Sequence, residues 1–118
     1  MALDAGASGK QAGAVEDTKT VSVTDAAERN RFEAHIGGAL AGFAQYIRTA
    51  ELVVYPHTEV DLAFEGRGVG GALAQAALDD ARERGLTILA TCPFIAGWMS
   101  RHPDYADLAY QNRSRVSD

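Results

Sequence analysis

The amino-acid sequence predicts an α/β protein of the mixed, α+β kind: an antiparallel meander followed by a β-α-β unit and a second helix. Three observations carry that expectation. Residues Arg31-Phe32-Glu33-Ala34-His35-Ile36 alternate polar and apolar, as a half-buried strand does. Residues from Gly68 to Arg84 place Val69, Leu73, Ala76 and Ala77 on one helical stripe. Between the strand-rich half and that helix, four glycines crowd into Gly66-Arg67-Gly68-Val69-Gly70-Gly71.

The elements follow in order. Gly37-Gly38 is a two-residue turn, so the strand over 31–36 pairs with a second strand from Ala39 to Arg48, with Leu40, Ala44 and Tyr46 interleaved among its other side chains. A third strand opens at Leu52-Val53-Val54-Tyr55, β-branched and aromatic, and continues to about Val60. Pro56 lies inside it. Lacking an N–H, it predicts a bulge or a side without pairing. Asp61 to Arg67 reads as a loop. The helix that follows is supported by the i,i+4 pair Asp80–Arg84 and stops at Gly85, where a residue with φ > 0 ends the last turn. Leu86 to Thr91 is an apolar strand. It should run parallel to the third strand, with a right-handed crossover. Pro93 can start the second helix, Phe94, Ile95, Trp98 and Met99 give it an apolar face, and His102-Pro103 stops it.

Size and composition narrow the function. The chain has 118 residues, 47% of them hydrophobic, enough for one domain with a core. We divide it into a disordered tail over 1–19, the domain over 20–111 and a frayed end over 112–118. A formal net charge of −5 argues against a nucleic-acid partner. His35, His57 and His102 are scattered and the single cysteine, Cys92, has no Cys or His at metal-ligand spacing, so no metal site is expected. One cysteine allows no internal disulfide, and no apolar run has membrane-spanning length. The expected setting is cytoplasmic, without membrane attachment.

The glycine turn is the feature richest in chemistry. Glycines between a strand and a helix let a ligand approach the backbone, and the helix start offers N–H groups to an anion, most naturally a phosphate or pyrophosphate. A plain turn is the alternative. A P-loop is excluded, because no Gly-Lys-Ser or Gly-Lys-Thr opens the helix. Gly66, Gly68 and Gly71 fit G-x-G-x-x-G formally. A dinucleotide fold, however, would begin with this β-α-β unit and end the next strand on an acid, and here that strand ends Ala90-Thr91-Cys92-Pro93.

Glu65-Gly66-Arg67-Gly68-Val69-Gly70 resembles instead the R/Q-x-x-G-x-G/A pyrophosphate loop of the GNAT superfamily of N-acetyltransferases, with Glu65 where Arg or Gln is usual and a basic side chain at Arg67. With His57-Thr58-Glu59-Val60, Cys92-Pro93-Phe94 and Arg101-His102-Pro103, the stretch from about Arg31 to Tyr110 is similar to small, single-domain members described as YjdJ-type. The resemblance implies a GNAT-like mixed sheet with acetyl-CoA as co-substrate, its pantetheine arm in a splay between the third strand and the strand after the helix, and an amine as acceptor. Gly66, Arg67, Gly68, Val69, Gly70 and Gly71 would then hold the pyrophosphate, the main chain around Val60 the thioester carbonyl, and Arg101 a phosphate.

Candidates for the chemistry are His57, Glu59 and Cys92. Period-2 spacing puts Tyr55, His57 and Glu59 on one strand face. His57 has the range of a general base, and Glu59 could act through a water. Cys92 precedes a helix N-terminus, which favours thiolate, and is read as an acyl acceptor or a proton donor to the departing thiolate. Each has a structural alternative: a hydrogen-bonded histidine, a solvated carboxylate, a small buried hydrophobe. Tyr105 either brings a hydroxyl to the leaving sulfur, as the resemblance suggests, or caps the core. The activity expected is N-acetyl transfer to an amine; the competing reading is a CoA-binding module without turnover.

Overall fold

The computed structural model describes residues 20–111, so the tails expected over 1–19 and 112–118 lie outside the described residues. Five strands form one sheet: β1 (Val21–Ala26), β2 (Arg31–Ile36), β3 (Ala39–Arg48), β4 (Leu52–Val60) and β5 (Thr87–Ala90), in spatial order β1-β2-β3-β4-β5. The first four are antiparallel neighbours and β5 runs parallel to β4. Helix α1 (Val69–Arg84) makes the crossover, and α2 (Pro93–Ser100) follows β5. Short 3-10 turns lie at Ala27–Arg29, Leu62–Phe64 and Pro103–Leu108. No helix among the described residues is long and apolar enough to cross a membrane.

The meander, the crossover and the parallel pair are as the sequence predicts. Gly37 and Gly38 have φ of 59° and 85°, the left-handed pair that lets two residues turn β2 into β3. Strand β1 has no counterpart in the sequence reading. Only Val21 and Val23 give it an apolar face, and Asp25, a poor strand former, sits on that same face. Its aspartate is explained by its partners: Tyr46 and Arg48 of β3 both donate to it, and Arg48 and Arg84 also reach Asp80 of α1.

One face of the sheet carries Phe32, Ala34, Ala44, Tyr46, Val53, Tyr55 and Ile88 against α1. The buried stripe of α1 is Val69, Leu73, Ala74, Ala77, Leu78 and Ala81. It therefore runs through Ala74 and Leu78 rather than Ala76, which is only half-buried. Tyr55 is enclosed there, its hydroxyl donating to the Ala77 carbonyl at 2.7 Å, and burial pushes its pKa up. Gly85 ends α1 at φ 72°, as expected, its N–H donating to Ala81 and Arg82.

Two bulges change the side-chain phase. In β3 the register slips between the Ala34↔Gly42 and His35↔Leu40 pairs, so Ala41 is buried and Leu40 is exposed, contrary to simple alternation. In β4, Tyr55 and Pro56 together face Tyr46, between the Ile47↔Val54 and Gln45↔His57 pairs. This is the irregularity Pro56 predicts. It also overturns the shared face proposed for Tyr55, His57 and Glu59: Tyr55 is buried under α1, whereas His57 and Glu59 are exposed on the opposite side of the sheet.

Candidate active site

The site begins where β4 and β5 separate. Their pairing runs from Leu52↔Thr87 to Tyr55↔Ala90, and one more hydrogen bond, Cys92 N–H to the Tyr55 carbonyl at 3.0 Å, closes it. Pro56 has no N–H to extend the ladder, and Pro93 turns the other chain into α2. Beyond this point His57, Thr58, Glu59 and Val60 pair only with β3. The Asp61 N–H points toward β3, donating to Ala41 O at 2.8 Å. By strand alternation, Thr58 and Val60 then turn their main-chain groups into the widening gap.

Cys92 closes the narrow end of that gap. Its side chain is 5% exposed and its thiol donates to Thr58 Oγ1 at 3.6 Å. Burial pushes the thiol pKa up, but the Ile95 N–H, the Thr58 hydroxyl and the Phe94 and Thr58 N–H groups outweigh it and leave the thiol below its ordinary value. The α2 N–H groups act here as oriented dipoles; no side-chain cap bond is closed at Cys92. Thr58 was not singled out from sequence. Once the bulge at Pro56 is known, alternation places it facing Cys92.

His57 and Glu59 stand on the other side of β4, joined by His57 Nε2···Glu59 Oε2 at 2.7 Å. Phe43 of β3 lies beside them, its ring centre 6.1 Å from that of His57. The dyad and the thiol are therefore on opposite faces of one strand.

The glycine turn lies between β4 and α1. Asp61 begins it, Oδ1 accepting from Ala63 N–H at 2.9 Å, and the Leu62–Phe64 turn follows. Gly66 and Gly68 both have φ of 81°, and a Cβ on either would meet nothing within 4 Å. They are thus glycines because of backbone conformation, and their open sides form a cradle that a side chain would fill. Ala72 is the first residue of α1 to bond back, to Gly68 O at 3.0 Å, so the N–H groups of Val69, Gly70 and Gly71 have no partner within the helix. The start of a 16-residue helix therefore offers three donors beside the cradle. A pyrophosphate suits this donor set.

The remaining predicted residues divide. The Val69 side chain is buried in the core and meets β3 at Gly42, leaving only its N–H for a ligand. Arg67 is in the turn, its guanidinium carbon 6.0 Å from the Phe64 ring centre. Gly70 and Gly71 face α2: a Cβ on Gly70 would lie 2.8 Å from Phe94 Cζ, and one on Gly71 3.6 Å from Trp98 Nε1. Phe94 is 39% exposed, so it packs on the glycine turn rather than in the core as the sequence suggested. Arg101 is the C-cap of α2, at the end of the helix away from Cys92. Tyr105 donates to Asp79 Oδ1 at 2.6 Å. Asp79 is ten residues into α1, about 15 Å along its axis from the turn, so that hydroxyl is committed away from the gap. Among the described residues no group of three or more His, Cys, Asp or Glu is placed to hold a metal ion.

Known proteins resemble this chain in family pattern and in fold. Residues 31–108 match the family model described as GCN5-related N-acetyl-transferase. No relative among curated proteins matches the chain. Of solved structures, a GCN5-like protein from Staphylococcus aureus shares 21% identity and a TM-score of 0.54 over 85% of this chain and 96% of its own. A ribosomal-protein-alanine N-acetyltransferase from Brucella melitensis biovar Abortus 2308 shares 21% identity and a TM-score of 0.50 over 70% of this chain. Ard1 from Thermoplasma volcanium aligns with 52% of the chain at 24% identity and a TM-score of 0.48. The chain spans 62% of the Brucella protein and 43% of the Thermoplasma protein, but nearly all of the Staphylococcus one.

Proposed function

This chain belongs to the GCN5-related N-acetyltransferase family, and on that premise we propose that it transfers the acetyl group of acetyl-CoA to an amine. The observation that carries the reading is the parting of β4 and β5 after Tyr55, directly beside a glycine cradle at a helix start. The cradle fits the pyrophosphate: Gly66 and Gly68 leave it open, the N–H groups of Val69, Gly70 and Gly71 supply donors, and Arg67 supplies charge. Arg101 would reach a phosphate only from the far end of α2, and is the weakest member of the set.

Acetyl-CoA brings an activated thioester. The chain's own groups then divide the work across β4. On the open face, Glu59 accepts the proton of the acceptor ammonium, with His57 hydrogen-bonded to it and able to share that proton. At the gap, the Val60 N–H faces the place where charge grows on the carbonyl oxygen. On the helix side, Cys92 attends the sulfur end, its thiol poised by the α2 N–H groups either to protonate a departing thiolate or, as thiolate, to accept the acetyl group first. Transfer forms a bond from nitrogen to the carbonyl carbon and breaks the carbon–sulfur bond, with the electron pair leaving on sulfur. The acceptor is an amine of a small molecule or of a protein, and the setting is the cytoplasm.

A CoA-binding module without turnover would share the cradle but not need the dyad. Thermal unfolding separates the possibilities. CoA should raise Tm by mass action, worth about 2.7 kcal/mol at 100 times Kd. Gly68→Val should remove that shift, because a β-branched residue at φ 81° is strained and fills the cradle. Shifts with NAD and none with CoA would overturn the reading. A CoA shift without acetyl transfer to any amine would favour the module.

A further inference from the structure

A cavity of about 230 Å³ lies at the end of the β3–β4 ladder, lined by Leu40, Phe43, Glu59, Val60 and Asp61 among others. It is smaller than the ~300–1,000 Å³ of sites that enclose a whole drug-sized ligand, so it suits a group of side-chain size. Val60 and Glu59 end β4, two residues and one beyond Thr58. At ~3.3 Å per residue Val60 lies about 7 Å along β4 from Thr58. The Glu59 carboxylate belongs to both cavity and dyad.

Its lining has a definite chemistry. Leu40, 41% exposed, and Phe43 offer apolar surface. Glu59 and Asp61 are the charged lining residues; of the cations that touch the lining, Arg31 lies over the Phe43 ring but is paired with Glu33, and His57 is paired with Glu59. The larger cavity on this sheet, about 470 Å³, is of opposite character, lined by Arg29, Gln45, Tyr46, Arg48 and Pro56. Both of its arginines are already engaged, Arg29 with Glu33 and Arg48 with Asp25 and Asp80. It meets β4 at Pro56, which has no N–H to offer a reacting group.

Resting on the transfer reading above, we infer that the smaller cavity receives the stem of the acceptor, and that the substrate is a primary amine on an apolar stem bearing no anion. The nitrogen sits toward the gap beside Glu59, and the stem lies against Leu40 and Phe43. An anionic tail is repelled by Glu59 and Asp61. A free monoamine and the side chain of lysine share this chemistry.

The test uses the full chain with saturating acetyl-CoA and reads the initial rate of thiol release, corrected for hydrolysis. The probes are n-pentylamine, Nα-acetyl-lysinamide and 5-aminopentanoate, which share similar stems. One or both of the first two should exceed 5-aminopentanoate about tenfold in kcat/KM, and which of them is faster tells a free amine from a lysine side chain. Leu40→Lys, at an exposed position outside the catalytic groups, should bring that ratio to within about twofold of unity while the thermal shift with CoA is unchanged. Equal or better use of 5-aminopentanoate overturns the inference, as does a ratio that Leu40→Lys leaves unmoved. A CoA shift with turnover of none of the probes also overturns it. Loss of both the CoA shift and turnover removes the transfer reading itself.

Discussion

Around Cys92 burial and hydrogen bonding oppose each other, and the N–H groups of α2 together with Thr58 leave the thiol pKa below its ordinary value. The direction of that shift favours reactivity, while burial shields the sulfur. Iodoacetamide should alkylate Cys92 at neutral pH in the free protein, and saturating CoA should slow that reaction at least about tenfold if the pantetheine arm covers the sulfur; mass spectrometry of the intact chain reads both. Cys92→Ala should keep the CoA-induced thermal shift, since the cradle is untouched, and lose most transferase activity. Alkylation indifferent to CoA would place the thiol outside the site. The position of Cys92 was legible in the sequence because a strand end meets Pro93 there. Its partner Thr58 was not, because period-2 counting from Tyr55 ignores the extra residue of the bulge. The same miscount put Tyr55 on the face of His57 and Glu59.

The start of α1 shows how two helices share one set of glycines. Alanine in place of glycine inside a helix is worth about 0.5–1 kcal/mol. At Gly70 the new methyl would lie 2.8 Å from Phe94 Cζ, so the ring must turn aside and the gain is offset. Gly70→Ala should therefore change stability by less than about 1 kcal/mol in the native background, yet stabilise a Phe94→Ala protein by about 0.5–1 kcal/mol. Urea unfolding of the four-member double-mutant cycle measures the coupling. Equal effects in both backgrounds would show that the ring does not rest on Gly70. From sequence, these glycines read as a single anion loop. The structure divides them, Gly66 and Gly68 by φ and Gly70 and Gly71 by contact with α2. That division depends on a helix seated by long-range packing, which no local pattern encodes. The span of helix α1, by contrast, was legible, since its Asp80–Arg84 pair and its Gly85 stop are local signals, although its buried stripe runs through Ala74 and Leu78 rather than Ala76.

The sheet as a whole has helix α1 on one face only, and Glu33 is its unexpected buried charge, 5% exposed. Hydrogen bonds from Arg29 and then Arg31 hold its carboxyl at about 2, against an ordinary 4.5. A carboxyl with a depressed pKa adds stability that is complete above its unfolded value and is lost as pH falls toward the folded one. Glu33→Gln should thus lower the urea midpoint at pH 7, and the deficit should shrink between pH 4.5 and about 2. A deficit constant across that range would mean that packing, not charge, is what the substitution removes. The strand over 31–36 was read as half-buried, with Glu33 on its wet side. The flanking arginines cover the carboxylate there, Arg29 from the preceding 3-10 turn and Arg31 from the same strand. The order of strands was legible for the meander and the crossover, while β1 was hidden by its short apolar pattern.

Because spatial order in the sheet repeats sequence order, each new strand of the meander docks on the one made just before it. Only the β4–β5 pairing must wait for an intervening segment, α1, to be placed. The entropy of loop closure is therefore spent in small instalments with a single larger one, and the gap between the parting strands depends on this last closure. Assembly of the sheet and assembly of the candidate site therefore share one step, the closure that brings β5 and α2 to the end of β4.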